Sequence, residues 1–169
     1  MHESERAILG RSCQAYGPAL VLYARQWLDA GSAEDVVQNA FVRLLAKWRQ
    51  PANVKAWLFR CVRNAAIDHW RTRRLQHRYE QSRRSERPWF EPRLNDLLDA
   101  RTAEEALHRL PDEQREIIVL RLWGGLTFQE AAEATGDAVS TLSSRYQAGL
   151  EALRLILESA HHDQRTARP

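Results

Sequence analysis

The sequence contains few of the residues from which catalytic or metal centres are built. Its two cysteines, Cys13 and Cys61, are far apart and belong to no CxxC or Cys/His pattern, so we expect reduced thiols. His161 and His162 are adjacent but stand in a polar tail without other ligands. The acids and histidines form no paired-carboxylate, Ser–His or metal-ligand arrangement. The sequence therefore predicts no enzyme, no cofactor and no metal site.

Long apolar runs are also missing. No stretch of about 18 apolar residues is present, so no membrane span is expected. The opening MHESERAILG does not combine a basic with an apolar region, and we expect no secretory signal. With 44% hydrophobic and 28% charged residues, the chain can still build cores. These features favour a folded cytoplasmic protein.

The two signs of charge are unevenly distributed along the chain: acidic residues are in the minority in the front half, and basic residues are in the minority in the back half. The net charge is +3, but residues 1–75 hold 12 Lys/Arg and 6 Asp/Glu, whereas residues 96–169 hold 8 and 13. A basic surface attracts polyanions, and an acidic one repels them. The front half is therefore the expected site of nucleic-acid binding.

The stretch from Val54 to Arg74 carries the most informative pattern. It contains neither proline nor glycine, which predicts an uninterrupted helix. An apolar stripe follows one face, and Phe59 and Trp70 lie between the two faces. The opposite face carries the arginines Arg60, Arg63, Arg71 and Arg74. Arginines bind phosphates and aromatic rings stack on unpaired bases, so the helix predicts a site for opened nucleic acid. A plain surface helix with solvated arginines is the alternative that this pattern leaves open.

Apolar residues recur at helical spacing through most of the chain, which predicts an all-α fold of two small helical domains. The first, residues 1–75, would include a helix that starts near Pro18 and one that is opened by Ser32 and Asp35 as a capping box. Residues 76–93 have the composition of a linker. The second domain would span residues 94–160, followed by a polar tail over residues 161–169.

The second domain shows the spacing of a helix-turn-helix. Thr127 and Glu130 form a capping box, Gly136 allows the turn, and Leu142 would anchor the second helix. That helix, from about Val139, would bury Leu142, Tyr146, Leu150, Leu153 and Leu157. A helical hairpin with a glycine turn shows the same spacing, so the pattern alone is only moderately specific.

Three stretches together resemble the extracytoplasmic-function (ECF) sigma factors, a class of the main bacterial sigma family. The helix SAEDVVQNAFVRLLAKW resembles the one that docks on the polymerase clamp, and VKAWLFRCVRNAAIDHWRTRR resembles the promoter-melting helix. The stretch LPDEQREIIVLRLWGGLTFQEAAEATGDAVSTLSSRYQAGLEALR resembles the helix-turn-helix domain. The resemblance covers roughly residues 15–157.

The resemblance implies a protein that binds core RNA polymerase at its clamp and flap and directs it to promoter DNA. An anti-sigma factor would occupy the apolar groove between the two domains. The residues implied for core polymerase binding are Glu34, Asp35, Gln38, Asn39 and Arg43. Those implied for minus-10 recognition and melting are Trp48, Asn53, Trp57, Phe59, Arg60, Arg63, Asn64, Asp68, Trp70, Arg71 and Arg74. Those implied for the minus-35 element are Thr127, Ser140, Thr141, Ser143, Ser144, Arg145 and Gln147.

The sequence departs from the family pattern at two places. The recognition helix has few cations, which leaves Arg145 as its main basic contact and predicts weak phosphate attraction. The clamp helix has Ser32 and Asn39 where acids are common, and a phosphate on Ser32 would restore negative charge there.

Two other readings remain open at this point. A dimeric helix-turn-helix regulator would explain residues 94–157, yet it gives the arginine helix no task. A sigma-like decoy that binds an anti-sigma factor would fit the neutral recognition helix, yet such decoys usually carry a signalling domain, for which this chain has no room.

Overall fold

The computed structural model describes residues 3–47, 51–76 and 105–166, with side chains over residues 10–47, 51–73 and 105–159. Six helices follow in order: α1 (Glu3–Ala24), α2 (Ala30–Leu45), α3 (Val54–Gln76), α4 (Asp112–Leu122), α5 (Phe128–Thr135) and α6 (Val139–Thr166). A further helical segment covers residues 105–109, and the described residues contain no strand. The predicted all-α class is confirmed. Nearly all of the predicted linker lies outside the described residues.

No helix in the described ranges is long and apolar enough to cross a membrane.

Helix α1 is continuous, so the prediction of a separate helix starting near Pro18 is wrong. Pro18 lies inside a helix that runs from Glu3 to Ala24. A proline in a helix interior removes one backbone hydrogen bond. The turn that follows Pro18 carries Leu20 and Tyr23, both fully buried against the neighbouring helices. Burial of these side chains outweighs the lost hydrogen bond, because each contributes about 1.5–3 kcal/mol.

Helix α2 is capped by Asp29, so the predicted capping box of Ser32 and Asp35 is wrong. The Asp29 carboxylate accepts hydrogen bonds from the Ser32 backbone N–H and hydroxyl, both at 3.0 Å. Arg73 of α3 pairs with the same carboxylate. The Ser32 N–H bond and the Arg73 contact hold the pKa of Asp29 at about 2, against a smaller opposing effect of burial. The Ser32 hydroxyl is thus engaged inside the cap.

The helix-turn-helix of α5 and α6 confirms the predicted caps. Thr127 and Glu130 form both hydrogen bonds of the capping box at the start of α5. Gly136 ends α5 with a φ of 85°, a left-handed conformation that glycine adopts without strain. Leu142 is buried, as predicted, and anchors α6.

The buried face of α6 differs from the predicted one at Leu150, whereas Tyr146 and Leu153 are partly buried against the core. Leu150, predicted to be buried, is 38% exposed, while Gly149 is buried in its place. A Cβ atom on Gly149 would lie 2.8 Å from Cδ1 of Ile118 and 3.1 Å from Cβ of Gln114. Helix α6 therefore approaches α4 closely at this glycine. The approach turns the next residue, Leu150, away from the core.

The two groups of helices, α1–α3 and α4–α6, share one hydrophobic core. Leu58 and Phe59 of α3 belong to the same buried cluster as Ile117 and Leu120 of α4 and Leu126 of the following turn. Phe59 is fully buried, and its ring lies next to Gly124. The apolar groove expected between the domains is thus filled by side chains of the chain itself.

Gly124 generates a stability prediction. A Cβ atom here would lie 2.6 Å from the Leu120 carbonyl oxygen and 3.1 Å from Cζ of Phe59. We expect Gly124→Ala to lower the free energy of unfolding by about 1–3 kcal/mol, because overpacking displaces the backbone. Chemical denaturation followed by circular dichroism measures this change. Gly10→Ala is the control, since nothing lies within 4 Å of that site in α1. Equal stability of both variants would contradict the close contact.

Candidate nucleic-acid and polymerase interface

The outer face of α3 carries a polar row that follows the helical repeat. Arg60, Asn64, Asp68 and Arg71 are separated by four, four and three residues and are all exposed. Arg71 pairs only loosely with Asp68, at 4.0 Å, and both side chains are largely solvated. The two arginines are available to phosphates, and Asn64 to base edges. We call these four residues the α3 row.

Two tryptophans, Trp57 and Trp70, belong to α3. Trp70 is partly exposed on α3 itself. Trp57 is half-buried, and the Lys47 ammonium lies 5.1 Å from the centre of its ring. Of the other predicted residues, Trp48 and the Arg74 side chain lie outside the described residues.

Arg63 does not lie on the outer face, which corrects the sequence prediction. Its Nε donates to Oε1 of Glu116 at 2.7 Å and its Nη2 donates to Oε2 at 3.3 Å. The Tyr23 hydroxyl donates to the same Oε1 at 2.6 Å. Three helices thus meet at one buried carboxylate. Burial is the largest single effect on the Arg63 pKa, and it lowers that pKa. The hydrogen bond to Glu116 and the charge of Glu116 together outweigh burial, so the Arg63 pKa is raised.

Phe59 is also misplaced by the sequence prediction. The helical projection put it at the edge of the arginine face, but the ring is fully buried and packs 5.3 Å from that of Tyr23. The projection assumed that α3 packs on one side only. The second group of helices covers a further side of α3, where Phe59 and Arg63 lie.

The start of α3 is tied to α5 by polar contacts. Asn53 caps α3, since its Oδ1 accepts from the Ala56 N–H at 3.0 Å, and its Nδ2 donates to Glu130 at 3.3 Å. Lys55 donates to the Gly125 carbonyl and pairs with Glu130 at 3.4 Å. Burial alone would raise the Glu130 pKa. The Thr127 N–H, Asn53 and Lys55 outweigh it, and the pKa is lowered.

Sequence reasoning assigned no role to Tyr23, Lys55, Glu116 or Glu130 in this contact. One signal was available for Glu116: a charged residue directly before the apolar run IIVL of α4. Buried charges require partners, so this position could have indicated a cation across an interface.

The outer face of α2 carries all five residues predicted for polymerase binding. Glu34, Asp35, Gln38, Asn39 and Arg43 are exposed. Beside them lies a shallow groove of about 450 Å³, lined mainly by apolar side chains of α1 and α2, including Val37 and Phe41. Val42 on its rim is 55% exposed. A charged row next to an apolar groove is a common composition for a protein-binding surface.

The recognition helix α6 presents hydroxyl and amide groups more than charge. Ser140, Thr141, Ser144 and Gln147 are exposed, and Ser143 is half-buried. Arg145, the predicted basic contact, pairs with Asp137 at 2.7 Å and Glu113 at 3.2 Å. Its charge is therefore compensated in this arrangement. The Thr127 hydroxyl accepts from the Glu130 N–H as part of the cap.

The described residues contain no group of three His, Cys, Asp or Glu side chains that could hold a metal ion.

The helical architecture, the α3 row and the helix-turn-helix together define a class: DNA-binding proteins of transcription. Two family models match the chain, sigma-70 region 2 over residues 13–76 and sigma-70 region 4 over residues 100–153. The ECF RNA polymerase sigma factor SigL of Mycobacterium tuberculosis is 31% identical over 165 residues, 92% of each chain. EcfG of Rhodopseudomonas palustris is 30% identical over 132 residues, covering 76% of this chain and 73% of the relative. The chain belongs to the ECF family of RNA polymerase sigma factors.

Solved structures match over both groups of helices. The sigma factor RpoE of Bartonella quintana, in complex with the anti-sigma factor NepR, superposes with a TM-score of 0.74 at 28% identity. That match covers 88% of this chain and 96% of the other. CnrH in complex with the cytosolic domain of CnrY gives a TM-score of 0.65 at 25% identity, covering 91% and 90%.

The buried Tyr23 hydroxyl generates a titration prediction. Burial, followed by the Glu116 charge and hydrogen bond, raises the Tyr23 pKa well above 10. A raised folded pKa contributes stability that is fully present below about pH 10 and is lost as the pH rises towards the folded value. Ultraviolet titration should find one of the four tyrosines ionising only at higher pH or on unfolding. Tyr23→Phe should abolish that delayed transition, and its persistence would contradict the assignment.

Proposed function

We propose that this protein binds core RNA polymerase through the outer face of α2 and opens promoter DNA with α3. The observation that carries the proposal is the exposed α3 row, on the same three-helix group as the α2 face. As a member of a regulatory family, the protein would have no catalytic site of its own, and it would act in the cytoplasm.

The α3 row would contact the minus-10 element. Arg60 and Arg71 would bind phosphates, and Asn64 would read a base edge. Trp57 and Trp70 would supply stacking surfaces for an unpaired base, since every base has a face that stacks on an aromatic ring. Asn53, Phe59 and Arg63 would join this surface only when α4 and α5 move away from α3.

The helix-turn-helix would read the minus-35 element with its exposed hydroxyl and amide groups. Because Arg145 is paired with two carboxylates, phosphate attraction by this domain would be weak. Most of the binding free energy for promoter DNA would then come from the first domain.

A protein partner of the anti-sigma class is part of the proposal. Support comes from the matching structures, in which RpoE is bound to NepR and CnrH to CnrY. Because the space between the two domains is filled, such a partner would bind the outside of the closed chain.

Run-off transcription tests the proposal directly. The protein is added to purified bacterial core polymerase on a library of random promoters, and polymerase alone serves as the control. Protein-dependent transcripts with a shared two-part motif are the expected result. Enrichment of the downstream half alone would indicate that the second domain reads little sequence. If no transcripts depend on folded protein, the proposal fails and a decoy for an anti-sigma factor becomes the better account.

The α3 row generates a specific prediction for this assay. The double variant Arg60→Ala, Arg71→Ala should reduce promoter opening by about tenfold or more, because a hydrogen bond to a charged group contributes about 1.5–3 kcal/mol. The salt dependence of single-strand binding should also weaken, by about 0.7 in the logarithmic slope per lost phosphate contact. Thermal stability should stay unchanged, since both side chains are exposed.

Arg154→Ala is the matched control for the double variant. Arg154 is an exposed arginine of α6 that pairs with Glu151 and Glu158, away from the α3 row. Equal promoter opening by the double variant and this control would show that the α3 row is a solvated surface that does not contribute to opening.

A further inference from the structure

The acidic second domain covers the first half of α3, where part of the proposed DNA site lies. Glu116 is bound to Arg63, and Glu130 is bound to Lys55 and Asn53. Each carboxylate contacts groups that would otherwise be available to a polyanion. The acidic charge of the back half is therefore placed on basic residues of the front half.

We propose that the contact of Tyr23, Arg63 and Glu116 is an autoinhibitory latch, in which Glu116 takes the place of a DNA phosphate on α3 and holds the chain closed. The inference rests on the proposed function, because it assumes that α3 binds promoter DNA. We call the contact of Tyr23, Arg63 and Glu116 the latch.

The geometry of the latch imitates phosphate recognition. A guanidinium that donates two roughly parallel N–H bonds to two oxygens binds carboxylate and phosphate in the same way. Arg63 makes this forked contact to both oxygens of Glu116. Side-chain exposure is 22% for Arg63 and 11% for Glu116, so DNA reaches Arg63 only if Glu116 leaves.

An apolar contact makes the closed state specific. Phe59 is fully buried between the two domains and lies against Gly124. A stacking role for Phe59 therefore also requires the domains to separate. The polar latch and the aromatic ring would be released in the same motion.

The latch is suited to a reversible switch because it is a buried ion pair. The free-energy cost of removing Arg63 and Glu116 from water offsets much of the free energy gained from their attraction. The pair therefore contributes to the specificity of the closed arrangement more than to its net stability. DNA phosphates offer Arg63 an equivalent partner. Release of the latch on a promoter would then replace one charged contact by another.

The closed arrangement still leaves the polymerase face accessible. Glu34, Gln38 and Arg43 of α2 are exposed while the latch is formed. Docking through α2 therefore does not require opening, whereas full minus-10 binding does. The arrangement is also similar to that of a sigma factor bound by an inhibitor, since the match to RpoE in complex with NepR spans both domains. The latch would provide part of that inhibition within the chain.

Two variants weaken the latch without touching residues assigned to DNA or polymerase. Tyr23→Phe removes the hydroxyl that donates to Glu116, and Glu116→Gln removes the charge. Tyr16→Phe is the matched control, because Tyr16 lies on the same helix α1, partly buried, two turns earlier. Circular dichroism confirms that each full-length variant is folded.

Three measurements then follow on the full chain. Small-angle X-ray scattering measures the radius of gyration, anisotropy measures binding to a fluorescent random-sequence single-stranded oligonucleotide, and a labelled core polymerase gives the affinity for the enzyme. We expect both latch variants to be expanded and to bind the oligonucleotide about tenfold more tightly than the natural protein. Affinity for core polymerase should change less than twofold, and Tyr16→Phe should match the natural protein throughout.

The outcomes separate this inference from the proposed function. If Tyr23→Phe and Glu116→Gln are folded but as compact, and bind the oligonucleotide as weakly, as the natural protein, the latch is overturned. Tighter binding by Tyr16→Phe as well would also overturn it, since the effect would then not depend on Glu116. Expansion of the latch variants together with no polymerase binding by any variant would support the latch while refuting the proposed function.

Discussion

The contact that Glu116 makes with Tyr23 and Arg63 is the interaction on which the arrangement of the chain depends. It joins α1, α3 and α4 at one buried carboxylate, and it sits next to the Tyr23 and Phe59 rings. A buried charge is tolerated only when its hydrogen-bonding capacity is satisfied. The carboxylate therefore fixes how the second domain lies on the first. Helix α5, which packs along α3, in turn determines which part of α3 faces solvent.

The uneven distribution of charge along the sequence brings the two halves of the chain into contact. The basic front half and the acidic back half meet along the first half of α3, through Glu116 and Glu130. In the second half of α3, the Arg71 side chain stays in solvent. The same charges that would attract DNA thus also attract the rest of the chain. Under the proposed function, binding of DNA and closure of the domains would compete for Arg63.

Local sequence signals identified most of the helices and the family. The Thr127–Glu130 box, the Gly136 turn and the Leu142 anchor depend on contacts within a few residues, and each is present as expected. Two predictions failed because of tertiary packing: burial of Leu20 and Tyr23 keeps Pro18 inside a continuous helix, and the close approach of α4 places Gly149 rather than Leu150 at the contact. A third failed locally, because Asp29, three residues before Ser32, caps α2 in its place.

The sequence by itself determined the all-α class, the helix-turn-helix and the outward position of Arg60 and Arg71, because these follow from spacing along one helix or one turn. Only the tertiary structure decided that Phe59 is buried and that Arg63 is paired with Glu116. A helical projection ranks faces by composition and assumes one neighbour, whereas α3 is packed against two groups of helices. The partner that buries Arg63 is Glu116, 53 residues away in the chain, and nothing in the local pattern of α3 indicates its approach.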